Sequence, residues 1–245
     1  MNKKKIIAAA AVGTAVVAAF LIWKPKDVSV ETISKTVFDT KDKTEQLIDS
    51  LYGSAWGTIS QEERQKITDV GGAPVYGEIT YESSAIVLNE LNLNKNDIFY
   101  DLGSGLGKFV IQTHLTTPAK KAVGIELSPT RLKRAKKALV KLKTLGKVRK
   151  GQEIDFLYGD IAKANVSDAT VVFMCSTCFS EELMTQIINN LAKQRKGKSL
   201  KLISLKELPK NPHFKHEKEI KLHMSWSPKY GSMVRFYELK KPGEL

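Results

Sequence analysis

The sequence predicts an α/β fold: a doubly wound, mostly parallel seven-stranded sheet of Rossmann-like type, with an antiparallel C-terminal strand pair and a transmembrane helix ahead of it. Three observations carry this reading. Short apolar runs alternate with longer segments of helical spacing. The stretch Asp97-Ile-Phe-Tyr-Asp-Leu-Gly-Ser-Gly-Leu-Gly107 passes from a buried strand straight into a glycine-rich turn. An uncharged stretch, Ile6 to Trp23, stands between Met-Asn-Lys-Lys-Lys and Lys24-Pro-Lys26.

At about 1.5 Å per residue the N-terminal run spans roughly 27 Å as a helix, enough for a bilayer core, with Trp23 at the interface. A cleaved signal peptide is the competing reading, with Val17-Ala-Ala19 as the cleavage site, but the run is long for a signal core. Lys3, Lys4 and Lys5 favour a cytoplasmic N-terminus, and Lys24 and Lys26 partly balance them. Residues 6–23 are thus expected as a membrane anchor, 24–69 as a linker with N-terminal helices, and 70–245 as the ligand-binding domain.

Asp42 to Tyr52 reads as a helix with Leu47, Ile48 and Leu51 on its apolar stripe. Ser60-Gln-Glu-Glu63 is a capping box that opens a second helix, and Gly71-Gly-Ala-Pro74 ends it. Ser83 to Leu93 is amphipathic, with Ile86, Val87 and Leu91 on one face and Glu90 as its polar exception. Ile98 to Leu102 is the central strand, and Lys108 to His114 the helix after it. Lys121 to Glu126 is the next strand. Ser128-Pro129 starts a helix whose buried stripe is Leu132, Ala135, Leu139 and Leu142, with proline in its first turn. Ile154 to Tyr158, Thr170 to Met174 and Leu200 to Leu205 read as strands, with a helix from Glu181 to Lys193. Lys218 to Trp226 and Ser232 to Lys240 read as the antiparallel pair.

The net charge of +13 points to an acidic partner and says nothing of fold. It is concentrated between Arg131 and Lys150, a run of bases with no acid. A solvated helix face normally carries i,i+4 acid partners, so this run is expected to be a surface for nucleic acid or anionic lipid. Two cysteines, Cys175 and Cys178, are too few for a disulfide framework and fit a reducing compartment.

The ligand is legible at the strand ends. Dinucleotide folds use G-x-G-x-x-G, whereas here the order is Asp101-x-Gly103-x-Gly105-x-Gly107, with the acid just before the glycines. That suits a ligand with a cationic amino-acid end and no pyrophosphate, such as S-adenosylmethionine (SAM). The glycines let backbone approach the ligand, Ser104 lies among them, and Asp101 faces the ammonium or sulfonium end. Glu126 ends the next strand and is placed to accept both ribose hydroxyls, and Asp160 to accept the adenine amino group.

These motifs resemble the class I methyltransferases. From Gly72 to Lys240 the chain is similar to the disruptor-of-telomeric-silencing family, non-SET lysine methyltransferases that act on nucleosomal histone. Val75-Tyr-Gly-Glu78 resembles that family's lid motif, and Phe99-Tyr-Asp-Leu-Gly-Ser-Gly-Leu-Gly107 its cofactor loop. Lys108 stands where the family has Gln. Gly124-Ile-Glu126 and Gly159-Asp160 resemble its ribose and adenine positions, and Ser225-Trp226 its late Ser-Trp. The resemblance implies a SAM site made by Tyr76, Gly77, Glu78, Thr80, Phe99, Asp101, Gly103, Ser104, Gly105, Gly107, Lys108, Glu126, Asp160, Ile161 and Cys175. Where the family has Asn-Asn-Phe-Ala-Phe, this chain has Cys175-Ser-Thr-Cys-Phe179, so Cys175 replaces a cofactor-contacting Asn. A membrane anchor is foreign to nuclear members and is similar instead to small single-span lysine methyltransferases of the mitochondrial membrane.

Methyl transfer of this kind asks for positioning rather than acid–base groups: amine nitrogen, methyl carbon and sulfur held in line, with water excluded. Phe179, Trp226 and Phe236 are candidate walls of a lysine channel, and Tyr76 with Glu78 the closing lid. Ser176 is placed to hydrogen-bond the amine or the cofactor carboxylate. A redox pair at Cys175/Cys178, or a zinc site with His213 and His216, fits less well. The histidines are too close for zinc ligands, so no metal is expected. The resulting expectation is a membrane-anchored, SAM-dependent protein lysine methyltransferase acting on a histone, another basic protein or a membrane protein. The alternative is a SAM-binding module without catalysis that uses the basic helix to hold nucleic acid or lipid.

Overall fold

The computed structural model describes residues 42–53 and 57–241, and at their centre lie five parallel strands. These are β1 (Ile98–Leu102), β2 (Lys121–Glu126), β3 (Glu153–Tyr158), β4 (Val171–Met174) and β5 (Lys201–Ser204). An antiparallel hairpin, β6 (Phe214–Met224) and β7 (Ser227–Leu239), completes a seven-stranded mixed sheet in the order β3-β2-β1-β4-β5-β7-β6. The predicted anchor, Ile6 to Trp23, and the linker through residue 41 lie outside the described residues. Among the described residues no helix is long and apolar enough to cross a membrane.

The helices are α1 (Lys43–Tyr52), α2 (Gln61–Asp69), α3 (Tyr81–Leu91), α4 (Lys108–Thr116), α5 (Pro129–Thr144) and α6 (Glu181–Gln194). Hydroxyl caps fix several starts: Ser60, Thr80, Ser128 and Ser180 each accept from a backbone N–H one turn into the helix. The period-2 alternation of strand side chains separates two cores. Phe99, Phe156 and Phe173 pack with α1, α3, α4 and α5 on one face. Tyr100, Leu102, Val172 and Met174 pack with α6 on the other. α6 buries Leu183, Met184, Ile187, Ile188 and Leu191, each contributing roughly 1.5–3 kcal/mol of apolar burial.

The structure corrects the expected elements in two places. α3 buries Val87, Leu88 and Leu91, whereas Ile86 is exposed and Glu90 pairs with Lys218 of β6. The hairpin turn is Ser225-Trp226 rather than the Ser227–Gly231 gap between the two expected strands. Leu222 faces Ser232 and Met224 faces Ser227, so Pro228 to Gly231 bulge out of the ladder. β5 reaches only Arg235 to Glu238 of β7. Pro228 therefore lies where β7 has no second neighbour, and its missing N–H costs no ladder bond there.

Candidate active site

The glycine turn is folded across the gap between β1 and β2. Gly103 N and Ser104 N both donate to Ile125 O, at 2.9 and 3.0 Å. Gly107 caps α4 in the left-handed region at φ 78°, and a Cβ there would come within 2.2 Å of the Phe156 ring. Only glycine fits both demands. Asp101 and Glu126, near the ends of adjacent strands, therefore share one space above the carboxyl edge of the sheet. Glu126 holds that space together. Its Oε2 accepts from Gly105 N and its Oε1 from Ser128 N, both at 2.8 Å, joining the glycine turn to the start of α5.

The segment Val75–Ile79 closes the space from above, strapped on two sides. Glu78 N donates to Ser225 Oγ at 2.8 Å and Ser225 N donates to Glu78 O at 2.9 Å. Gly77 lies flat on Trp226, where an added Cβ would meet Cε3 at 2.4 Å. On the other side the Arg131 guanidinium stands 5.1 Å from the Tyr76 ring and donates to Gly57 O at 3.0 Å and Pro74 O at 2.7 Å. Glu78 accepts from the Tyr76 hydroxyl and, at 2.8 Å, from Lys108 Nζ.

The enclosed cleft measures about 400 Å³. It is lined by Tyr76, Gly77, Glu78, Asp101, Gly103, Ser104, Gly105, Lys108, Glu126, Asp160, Ile161, Cys175, Phe179 and Trp226 among the expected residues. Phe109 and Phe173, edge to face at 4.8 Å, add an apolar surface. Asp101 is 4% exposed, and burial, then the Glu126 carboxylate, push its carboxyl up to about 8. Burial also raises Glu126, opposed by its backbone N–H donors and Arg131. Cys175 is pushed up to about 12, chiefly by burial and then by Asp101, so its thiol stays protonated. The Ser104 hydroxyl is buried with no partner among the described residues.

Five expected residues do not line the cleft. Thr80 caps α3. Phe99 is fully buried, edge-on to Phe109. Gly107 caps α4 behind the turn, and Phe236 is core beneath Lys218. Ser176 is wholly buried, with its hydroxyl bonded to Ser204 Oγ at 2.7 Å and to Lys206 N at 3.0 Å. That network joins the end of β4 to β5 and occupies the hydroxyl, which therefore meets no amine or carboxylate in the cleft. Arg131, read only as part of a basic surface, is instead 5% exposed and belongs to the cleft. Its place one turn after Glu126-Leu-Ser128 was the available signal. Cys175 and Cys178 are free thiols, and no group of metal-binding side chains occurs among the described residues.

Known proteins resemble this chain in sequence and in fold. A family model described as "Histone methylation protein DOT1" matches residues 59–227. The chain is 33% identical over 144 residues to a Caenorhabditis elegans protein named "Histone-lysine N-methyltransferase, H3 lysine-79 specific". That match covers 56% of this chain but only 15% of the nematode protein. A Saccharolobus islandicus "Protein-lysine N-methyltransferase" is 29% identical over 143 residues, covering 58% of this chain and 74% of the archaeal one. Among solved structures, an RNA methyltransferase from Salinibacter ruber in complex with S-adenosyl-L-homocysteine superposes with a TM-score of 0.50 at 22% identity. It covers 66% of this chain and 94% of that one, which shows a shared fold.

Proposed function

The chain belongs to the DOT1 histone methylation family, and on that premise we propose that it transfers the methyl group of SAM to a lysine side chain of a protein. The observation that carries the reading is the buried carboxyl pair, Asp101 with Glu126, beside the glycine turn. Burial, and after it repulsion from the Glu126 carboxylate, holds a proton on Asp101. A ligand with a cationic end relieves that repulsion, and its ribose hydroxyls can share Glu126 with Gly105 N and Ser128 N. The unpartnered Ser104 hydroxyl offers a further polar contact in the turn. The residues present therefore fit SAM.

When bound, SAM supplies an electrophilic methyl group on a sulfonium. The chain's own residues supply position and dryness. Trp226, held against Gly77, and Phe179, with its ring near Gly103, offer apolar walls at the mouth of the cleft. A lysine amine between them is desolvated, which lowers its pKa toward the neutral, nucleophilic form. Glu78 lies at the same mouth and orients Tyr76 and Lys108. No covalent nucleophile is required, and Cys175, held as a thiol, does not serve as one.

Relatives named for a histone lysine and for protein lysine in general support a protein substrate, with a histone as one candidate and a membrane protein as the other. We place the domain at a membrane, held by Ile6 to Trp23, on the strength of that apolar run. The test is incubation of the full chain with labelled SAM and, separately, nucleosomes, free histones and isolated membranes. Label is expected on lysine, and Asp101→Ala and Glu126→Ala are expected to abolish it. A pure, folded chain that gives no binding heat with SAM would refute the proposal.

A further inference from the structure

The basic helix α5 carries a second surface that the cleft does not use. Three of the bases between Arg131 and Lys150 are occupied internally: Arg131 on Gly57 O and Pro74 O, Lys141 on Leu51 O, and Arg149 on Thr117 O and Leu115 O. Lys133, Lys136 and Lys137 are exposed and pair with no carboxylate among the described residues. They line a shallow groove together with Leu132, Val140 and Tyr158. Val140 is 62% and Tyr158 58% exposed. These two side chains give the groove an apolar floor between the unpaired lysines.

We propose that this groove, between α5 and the carboxyl end of β3, docks an acidic amphipathic segment of a partner polypeptide. The lysines meet its carboxylates, and Val140 and Tyr158 cover its apolar side chains. Charge and shape select this occupant. Nucleic acid would satisfy the lysines and could stack a base on Tyr158, but has nothing to place on Val140. An anionic bilayer is flat on this scale and would meet a concave surface poorly. A peptide helix with carboxylates flanking an apolar stripe satisfies both halves of the groove. β3 is the outer strand of the sheet, at the edge opposite the hairpin that carries Trp226. A segment docked there leaves the mouth of the cleft free, so the groove recruits a partner without blocking the site.

The experiment uses the full chain in nanodiscs of neutral lipid, with selection of phage-displayed random peptides on wild type and counter-selection on the triple variant Lys133→Glu/Lys136→Glu/Lys137→Glu. Enriched peptides are expected to combine several Asp or Glu with at least two large apolar residues. Their synthetic forms are expected to bind about 10-fold or more weakly both to the triple variant and to Val140→Asp. Affinity for S-adenosylhomocysteine stays unchanged in both variants, which reports that they are folded. The proposal is overturned if no peptide is enriched on wild type over the variant. It is equally overturned if duplex DNA or phosphatidylserine nanodiscs bind the face with an affinity that Val140→Ser leaves intact, since that describes a simple polyanion surface.

Discussion

Protonation of Asp101 controls affinity for any ligand whose cationic end faces it. The carboxyl titrates at about 8 rather than its ordinary 3.8, first from burial and then from Glu126. About 1% is ionised at pH 6 and about a quarter at pH 7.5, so affinity for a ligand that requires the anion rises about 24-fold, or about 1.9 kcal/mol, across that window. The ligand's own α-amine begins to deprotonate at the top of this window, which trims the observed rise to about 15–18-fold. Calorimetry with S-adenosylhomocysteine at pH 6 and pH 7.5 reads this directly, and at pH 6 paired buffers of different ionisation enthalpy should register nearly one proton released per ligand. Asp101→Asn abolishes the slope while weakening binding throughout. The same substitution affects stability with the opposite sign. A carboxyl whose folded pKa is raised contributes most below its unfolded pKa and loses that contribution as pH rises toward 8. The cofactor-free Asn variant is therefore more stable than wild type at pH 8. A flat affinity between pH 6 and 7.5, or a slope that survives in Asp101→Asn, refutes the electrostatic account of the cleft.

Other consequences follow from single side chains. His114 is 1% exposed and pushed down to about 4 by burial and Arg149, so stability is full above pH 6.5 and falls as the unfolded chain protonates below it. The loss is about 2 kcal/mol by pH 5, read from urea midpoints at pH 7 and 5, and His114→Gln flattens that limb. Gly107→Ala combines a left-handed φ with a Cβ 2.2 Å from the Phe156 ring and should destabilise by about 2–4 kcal/mol in denaturant unfolding. Arg131→Met strands the carbonyls of Gly57 and Pro74 and frees Tyr76. It should cost about 2–3 kcal/mol of stability and weaken S-adenosylhomocysteine binding, measured by thermal shift with and without the ligand. Gly77→Ala drives the lid against Trp226 and should reduce methyl transfer more than cofactor affinity, separable by comparing initial rates with calorimetric Kd.

The parallel part of the sheet was legible because local signals agreed with global ones. Lys121 to Glu126 is an apolar run bounded by charge, and Ser60, Ser128 and Ser180 stand where hydroxyl caps belong. The strand-end acids were legible because a parallel sheet gathers the carboxyl ends of its strands at one edge. The misreadings share a cause: the deciding partner lies far along the chain. Ser176 looked available until Ser204, on the neighbouring strand, took its hydroxyl. Arg131 looked like one base among many, and only the approach of Gly57 and Pro74 makes it internal. Phe236, a candidate channel wall, packs in the core beneath Lys218. The hairpin misled because Pro and Gly usually mark turns, whereas here the sheet tolerates them in a bulge at an unpaired stretch.

The strap between Glu78 and Ser225 links positions 147 residues apart. During synthesis the lid, the glycine turn and both carboxylate strands leave the ribosome long before Ser225 and Trp226, which hold the lid down. A nascent chain can therefore build most of the sheet and still lack a sealed pocket. Competence waits for β7, which pairs with β5 and so carries Ser225 and Trp226 over the cleft. Any chain ending before Ser225, whether from a stalled ribosome or a protease, would keep most of its secondary structure and have no closed chamber in which to hold its ligand.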